Sequence, residues 1–229
     1  MRETSVKIQG AVFDVDGTLL DSMYVWKDVG DRCLRSKGVV PQPDMEERVR
    51  TMSMPQVAEY CRREYGLTES PQQIIDEING LVLQSYREEV QPKKGVPELL
   101  DALKARGIKL AVATASDRCL IESALERTGL LPRFDVFLTC TEVGEGKDSP
   151  AIFYKAAELL ACRPEETVIF EDSLYAMKTA KAAGFRVAAI ADASAAHEEK
   201  EIQETADWFV EEALQWLTAL FPNDTKNYY

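Results

Sequence analysis

The sequence predicts an α/β fold: a doubly wound parallel sheet carrying an inserted block of helices. After Pro97, short apolar runs alternate with amphipathic stretches of helical length, the pattern of parallel strands joined by right-handed crossover helices. Between about Asp21 and Gln91, apolar residues recur instead at three- and four-residue spacing, and no strand is convincing among them. A chain of 229 residues is long enough for one sizeable domain with such an insert.

In order, Val6 to Phe13 reads as a buried strand ending in acid at Asp14, and it belongs to the same sheet as the later strands. Helical spacing runs through Val25 to Leu34, Val57 to Tyr65 and Ile74 to Tyr86, with breaks at 37–41, at Pro55 as a helix start and at 66–71. A helix over Glu98 to Arg106 leads to a strand at Lys109 to Thr114, and a helix over Asp117 to Gly129 to a strand at Val136 to Thr139. The rhythm continues with helix Ala151 to Leu160, strand Val168 to Glu171, helix Tyr175 to Ala183 stopped by Gly184, and strand Arg186 to Ile190. A strand at Trp208 to Val210 and a helix over Glu211 to Phe221 close the pattern. The expected division is an α/β core of residues 1–20 and 92–229, with residues 21–91 as a helical domain above the strand ends, where ligands bind in such folds.

Composition narrows the function. Lys and Arg number 27 against 39 Asp and Glu, a net charge of −12 that disfavours nucleic acid as a partner. The cationic runs Arg62-Arg63 and Lys93-Lys94 are too short to change this and read as solvated faces. No apolar run has the length of a membrane span, and Met1 to Gly10 lacks the apolar core of a signal peptide; a cytoplasmic protein without a membrane partner is expected. Five widely spaced cysteines and a single histidine, His197, argue against zinc-type sites and a disulfide framework. Nothing in the chain reads as an interface, so a monomer is expected.

The chemistry concentrates at strand ends. In Phe13-Asp14-Val15-Asp16-Gly17-Thr18, two carboxylates stand one residue apart at the end of a buried strand, where desolvated like charges raise each other's pKa. A cation removes that cost, and Mg2+ suits oxygen ligands while keeping sites open for water and phosphate; a solvated Asp-Gly turn is the bland alternative. Val168 to Phe170 likewise ends in Glu171 and Asp172, and paired acids at two strand ends of one sheet are what an oxygen-only metal site requires. Thr114-Ala115-Ser116 offers a hydroxyl and backbone N–H groups where a helix begins, an anion cradle, although Ser116 or Asp117 could equally be a plain helix cap. Lys147, in the loop before Pro150, supplies a compact positive charge if it lies near those acids.

These four segments, in this order and with a helical insert between the first and second, resemble the haloacid dehalogenase superfamily. The likeness covers Ile8 to about Leu220 and is closest to members with a small helical cap, the phosphoglycolate phosphatase-like and β-phosphoglucomutase-like enzymes. The resemblance implies a Rossmann-like core and a Mg2+-dependent phosphatase acting on a small phosphorylated metabolite, of the sugar phosphate or phosphoglycolate class, through an aspartyl phosphate. By that likeness Asp14 is the nucleophile, and Asp16 is the general acid and base whose backbone carbonyl binds Mg2+. Asp14, Asp16, Glu171 and Asp172 form the metal set; Thr114, Ala115 and Lys147 hold the phosphoryl oxygens, with Thr114 and Lys147 also counted as catalytic.

The chain departs from the family pattern in places. Family members often read Lys-Pro-x-Pro-Asp at the third segment, where this chain reads Lys147-Asp148-Ser149-Pro150-Ala151, keeping the lysine but not the last acid. In the mutase-like members the cap carries an arginine and a histidine; here methionine falls in the first place, within Arg50 to Met54, and Met23 to Trp26 holds no histidine. Hydrolysis is therefore expected over the alternative, phosphomutase activity. An inactive phospho-ligand-binding homologue is the second alternative, against which Asp14, Asp16 and Lys147 are all retained, and a receiver domain lacks the insert and Asp16. Tyr24, Trp26, Met52, Met54, Gln56 and Tyr60 are candidates to line a substrate pocket, with helix core as their bland alternative.

Overall fold

A computed structural model describes residues 7–50 and 52–222. Val6, at the start of the expected first strand, and Thr51 lie outside the described residues. The chain runs β1 (Gly10–Phe13), β2 (Leu20–Asp21), α1 (Met23–Trp26), α2 (Val29–Ser36), α3 (Met45–Val49), α4 (Met54–Tyr65), α5 (Pro71–Glu88) and β3 (Gln91–Pro92). It continues through α6 (Val96–Ala105), β4 (Lys109–Thr114), α7 (Arg118–Arg127), β5 (Val136–Thr139), α8 (Cys140–Val143) and α9 (Ala151–Leu160). The last elements are β6 (Thr167–Glu171), α10 (Leu174–Ala182), β7 (Arg186–Ile190), α11 (Glu199–Thr205), β8 (Trp208–Val210) and α12 (Gln215–Leu220).

Six strands form one parallel sheet in the order β5-β4-β1-β6-β7-β8, the doubly wound architecture expected from the alternating pattern. The first strand is central, so the chain winds outward to β4 and β5 on one side and to β6, β7 and β8 on the other, and the crevice between the two directions opens at the end of β1. Although β1 is wholly apolar, its side chains alternate: Ala11 and Phe13 pack with α6, α7 and α12, while Val12 packs with α9 and α10. On the first face, Phe13 stacks on Phe170 at 4.1 Å, and Trp216 of α12 meets Phe170 edge-on at 4.7 Å.

The helical segment leaves the sheet through a turn. Val15 carbonyl accepts from the Leu19 and Leu20 N–H groups at 2.9 and 2.8 Å, and the chain then enters β2, which pairs antiparallel with β3. This two-stranded ribbon carries the chain out to the helices and back, and pairs too short to show a sequence period make it. Capping boxes start the two long helices: Ser53 with Gln56 at α4, and Ser70 with Gln73 at α5, each followed by proline in the first turn. Leu34, Met45, Tyr60 and Cys61 form a small core of their own under these helices. The fifth helix is tied to the α/β layer, because Asn79 Nδ2 donates to Asp117 at 2.6 Å and Arg127 donates to the Tyr86 carbonyl at 3.3 Å and to the Val90 carbonyl.

Three expectations need correction. The helix expected through Val25 to Leu34 is two helices, broken where Lys27 is extended and Asp28 adopts a left-handed conformation at φ 59; apolar spacing is blind to one residue turning out of the helical region. The last helix begins at Gln215 rather than Glu211, because the Gln215 side chain accepts from the Glu211 and Glu212 N–H groups at 2.9 and 3.2 Å and holds that stretch as a turn. The short helices α3 and α8 were not anticipated. Among the described residues, no helix is long and apolar enough to cross a membrane.

The aromatic column makes a stability prediction. Trp216 is fully buried and donates its indole N–H to the Ala189 carbonyl at 3.2 Å, so Trp216→Ala leaves both a cavity and an unpaired carbonyl. A loss of about 3–5 kcal/mol in urea unfolding is expected.

Candidate active site

Because β1 lies between β4 and β6, with Phe13 opposite Val112 on one side and Phe170 on the other, the residues that follow these strands are forced together. Asp14, Thr114 and Glu171 arrive from three neighbouring strand ends, all buried, and Asp14 N–H donates to the Phe170 carbonyl at 2.9 Å as the strand finishes. Lys147 comes from the loop before α9 and lies only 2% exposed, its ammonium 2.5 Å from Asp14 Oδ1 and 2.6 Å from Glu171 Oε1. The loop holds without the acid that ends the family pattern: Ser149 N–H donates to the Gly146 carbonyl at 3.1 Å and Ser149 Oγ accepts from Ala151 N–H at 3.3 Å.

Glu171 is wholly engaged. One oxygen meets Lys147, and the other accepts from the Asp172 and Ser173 N–H groups at 2.8 and 2.9 Å. Asp172 has less support: among the described residues its one side-chain donor is Thr18 Oγ, at 3.3 Å. Burial, with Glu171 and Asp14 adding to it, holds the Asp172 carboxyl well above the usual carboxylate range. Burial likewise pushes Asp14 up to about 7, the Lys147 ammonium opposing and Glu171 and Asp16 adding to the rise.

Asp16 sits in a different setting, half-buried. Its Oδ1 accepts from Ser22 Oγ at 2.6 Å and from the Tyr86 hydroxyl, and its Oδ2 accepts from Ser116 Oγ at 2.6 Å. The turn depends on Gly17, at φ 86, where an added methyl would fall within 2.8 Å of the Asp172 carboxyl carbon. Thr114 Oγ accepts from Ser116 N–H at 3.1 Å, and Ala115 follows it, half-buried, at the start of α7.

The structure therefore brings together every residue named from the sequence: Asp14, Asp16, Thr114, Ala115, Lys147, Glu171 and Asp172 all border one cavity of about 1120 Å3. Met23, Trp26, Met52 and Met54 roof it. Tyr24 also borders it, but Gln56 and Tyr60 do not: Gln56 is spent on the Ser53 capping box, and Tyr60 is buried in the small helical core. Sequence reasoning missed Ser22 and Tyr86, and it named Ser116 without its bond to Asp16. Of the two helix-cap readings, Asp117 is the N-cap of α7, its carbonyl accepting from the Leu120 N–H at 3.1 Å, while its carboxylate makes no cap bond and accepts instead from Asn79 and from Thr141 Oγ at 3.0 Å; Ser116 serves Asp16. His197 is 64% exposed and 3.7 Å from Glu198, and it also borders the cavity.

The donor set fits a hard divalent cation. Carboxylate oxygens of Asp14, Glu171 and Asp172 lie within 4.8 Å of one another, all three buried, and one ammonium faces them. The two negative charges left over are what a divalent ion on oxygen ligands neutralises.

Residues 11–190 match the haloacid dehalogenase-like hydrolases. The chain belongs to that family. Validoxylamine A 7'-phosphate phosphatase of Streptomyces hygroscopicus subsp. limoneus is 30% identical over 176 residues, covering 76% of this chain and 81% of that one. Phosphorylated carbohydrates phosphatase of Thermotoga maritima is 27% identical over 177 residues, covering 77% and 82%. Among solved structures, CbbY from Rhodobacter sphaeroides in complex with phosphate superposes with a TM-score of 0.77 at 25% identity, covering 90% of this chain and 95% of that one. The family and fold expected from the motifs are borne out, and this haloacid dehalogenase-like hydrolase is a phosphoric monoester hydrolase.

Two outcomes follow from the charge balance. A carboxyl raised from 3.8 to about 7 binds protons in the folded state that the unfolded chain has released, so stability of the metal-free protein falls as pH rises through that window. Mg2+ is therefore expected to raise Tm more at pH above 7 than at pH below the window, in paired thermal melts; an equal rise at both would count against these carboxylates as its ligands. Lys147→Met strips the buried acids of their cation and is expected to cost about 3–5 kcal/mol in urea unfolding above that window, and less below it.

Proposed function

We propose that this hydrolase is a Mg2+-dependent phosphatase of a small phosphomonoester, working through an aspartyl phosphate on Asp14. The observation that supports it best is Lys147 buried between Asp14 and Glu171 with Asp172 beside them, a cluster that serves a phosphoryl group and a cation and has no structural use of comparable value. The Asp14 carboxylate attacks phosphorus as the bond to the alcohol oxygen breaks, and Asp16 gives that oxygen a proton. Asp16 then takes a proton from water as the water oxygen displaces Asp14, releasing phosphate and restoring the Asp14 carboxylate and the Asp16 acid.

Thr114 Oγ, the N–H at Ala115 and the Lys147 ammonium hold the phosphoryl oxygens, so charge developing on them meets donors already in place. Asp14, Asp172 and the Asp16 main-chain carbonyl would hold Mg2+, with Glu171 behind them orienting Lys147 and the Asp172 backbone; bound there, Mg2+ neutralises phosphoryl charge and the acids together. Residues 1–20 and 92–229 are the catalytic core in this reading, and 21–91 are a cap hinged on the β2–β3 ribbon. The cap excludes water from the phosphoryl group.

A substrate with one phosphate, of the sugar phosphate or phosphoglycolate class, suits the cavity better than one with two. The named relatives act on phosphorylated carbohydrates and validoxylamine A 7'-phosphate. Around the cavity, Arg50 is bound to Glu198 at 2.6 Å, Lys93 to Asp192 at 2.8 Å and Lys94 to Glu212 at 2.8 Å, so a second phosphate held by any of these three would have to displace a carboxylate. That also favours hydrolysis over a mutase, whose intermediate carries two phosphates.

Wild-type protein is expected to release phosphate from sugar monophosphates and 4-nitrophenyl phosphate with Mg2+ and not with EDTA. Asp14→Asn is expected to lose at least about a thousandfold in kcat, and acid-quenched turnover to show a phosphoryl adduct on the peptide containing Asp14 by mass spectrometry. Full activity in Asp14→Asn would overturn the mechanism.

A further inference from the structure

The hydrogen bonds around Asp16 have a direction. Trp26 Nε1 donates to the Tyr86 hydroxyl oxygen at 2.6 Å, and an indole N–H can only donate. The phenol proton therefore points the other way, to Asp16 Oδ1, where Ser22 Oγ also donates at 2.6 Å. On the other oxygen, Oδ2, the donor among the described residues is Ser116 Oγ alone. Tyr86 is fully buried, its ring edge-on to Trp26 at 6.3 Å, and burial together with the Asp16 carboxylate holds its hydroxyl well above the usual phenol range, as a permanent donor. The helix that carries it is fixed to the core by the Arg127 bond to the Tyr86 carbonyl at 3.3 Å.

We propose that Tyr86, backed by Trp26, is a positioning residue for proton transfer: it occupies Asp16 Oδ1 and orients the carboxyl so that Oδ2 is the oxygen that gives and takes the proton. The inference rests on the phosphatase reading. When the alcohol leaves, the Oδ2–H bond breaks as a new O–H bond forms on the departing oxygen and the O–P bond breaks. In the second half a water O–H bond breaks and the proton returns to Oδ2, while the water oxygen bonds phosphorus and the Asp14–phosphorus bond breaks. Packing alone would not select tyrosine here, since phenylalanine fills the same space without burying a hydroxyl.

Leaving-group dependence tests the proposal with a readout that packing does not move. An alkyl phosphate needs its leaving oxygen protonated, whereas 4-nitrophenolate leaves unaided. In Tyr86→Phe, the ratio of kcat/KM for 4-nitrophenyl phosphate to that for an alkyl phosphate is expected to rise by about tenfold or more, part of the hundredfold or greater rise expected of Asp16→Asn as the limit. Trp26→Phe, which keeps the tyrosine and loses its backing, shifts the ratio the same way by less, and reads the same contact if Tyr86→Phe does not fold. An unchanged ratio, whether or not both rates fall together, overturns the positioning role and leaves the phosphatase reading intact. Failure of the wild type to release phosphate from either substrate overturns that reading, and this inference with it.

Discussion

Everything at this site depends on one buried ammonium. Lys147 lies 2.5 Å from Asp14 and 2.6 Å from Glu171, and without it three desolvated carboxylates would share a strand-end crevice with nothing to hold them ionised. The sheet order makes that crowding unavoidable: a central first strand delivers its terminal acid between the ends of β4 and β6. Hydrophobic packing on both faces fixes the strand positions, so the core stabilises the frame and the frame imposes the electrostatic problem. One lysine meets only part of it. The remainder is uncompensated carboxylate charge of the kind that a divalent cation on oxygen ligands would neutralise.

Two aspartates one residue apart are given different work by their surroundings. Asp14 finishes the strand, is nearly enclosed, and faces a cation. Asp16 lies beyond it in the turn, half-buried, and accepts from three neutral hydroxyls of Ser22, Ser116 and Tyr86. In the proposed mechanism the group facing Lys147 is the one that attacks phosphorus, and the group among hydroxyls is the one that gives and takes a proton. Gly17 permits the separation, because its left-handed backbone lets the chain reverse immediately, with Asp172 packed where a side chain would stand.

The sheet was legible because its strands are apolar runs stopped by acids, glycine or hydroxyls, and four expected spans agree with the observed strands residue for residue: Lys109–Thr114, Val136–Thr139, Arg186–Ile190 and Trp208–Val210. Chemistry-bearing residues were legible for a related reason: charge at the end of a buried strand has few explanations. What supports Asp16 was not legible. Tyr86 is seventy residues away, on a helix whose buried face reads Ile74, Ile78, Val82, Tyr86, and helical spacing cannot separate a core ring from one that carries a working hydroxyl. The same ambiguity ran the other way for Tyr60, which reads like a pocket residue and packs in the helical core. A faint signal did exist, in that Tyr86 ends an otherwise aliphatic stripe and a buried hydroxyl requires a partner.

The helical segment is thus two things at once. Its C-terminal helix is bound to the core through Asn79, Arg127 and Tyr86 and reaches Asp16, whereas Met52, just before α4, and Met54, its first residue, lie on the cavity. Fixing α5 keeps the acid's support constant whatever body the substrate carries. The roof can then vary: flexible thioether side chains fill irregular space and accept different shapes, and Arg50, Lys93 and Lys94 are already bound to carboxylates. Under the proposed function, selectivity comes from which alcohol fills the roof, and Lys147, Thr114 and the acids beneath it hold the phosphoryl end the same way each time.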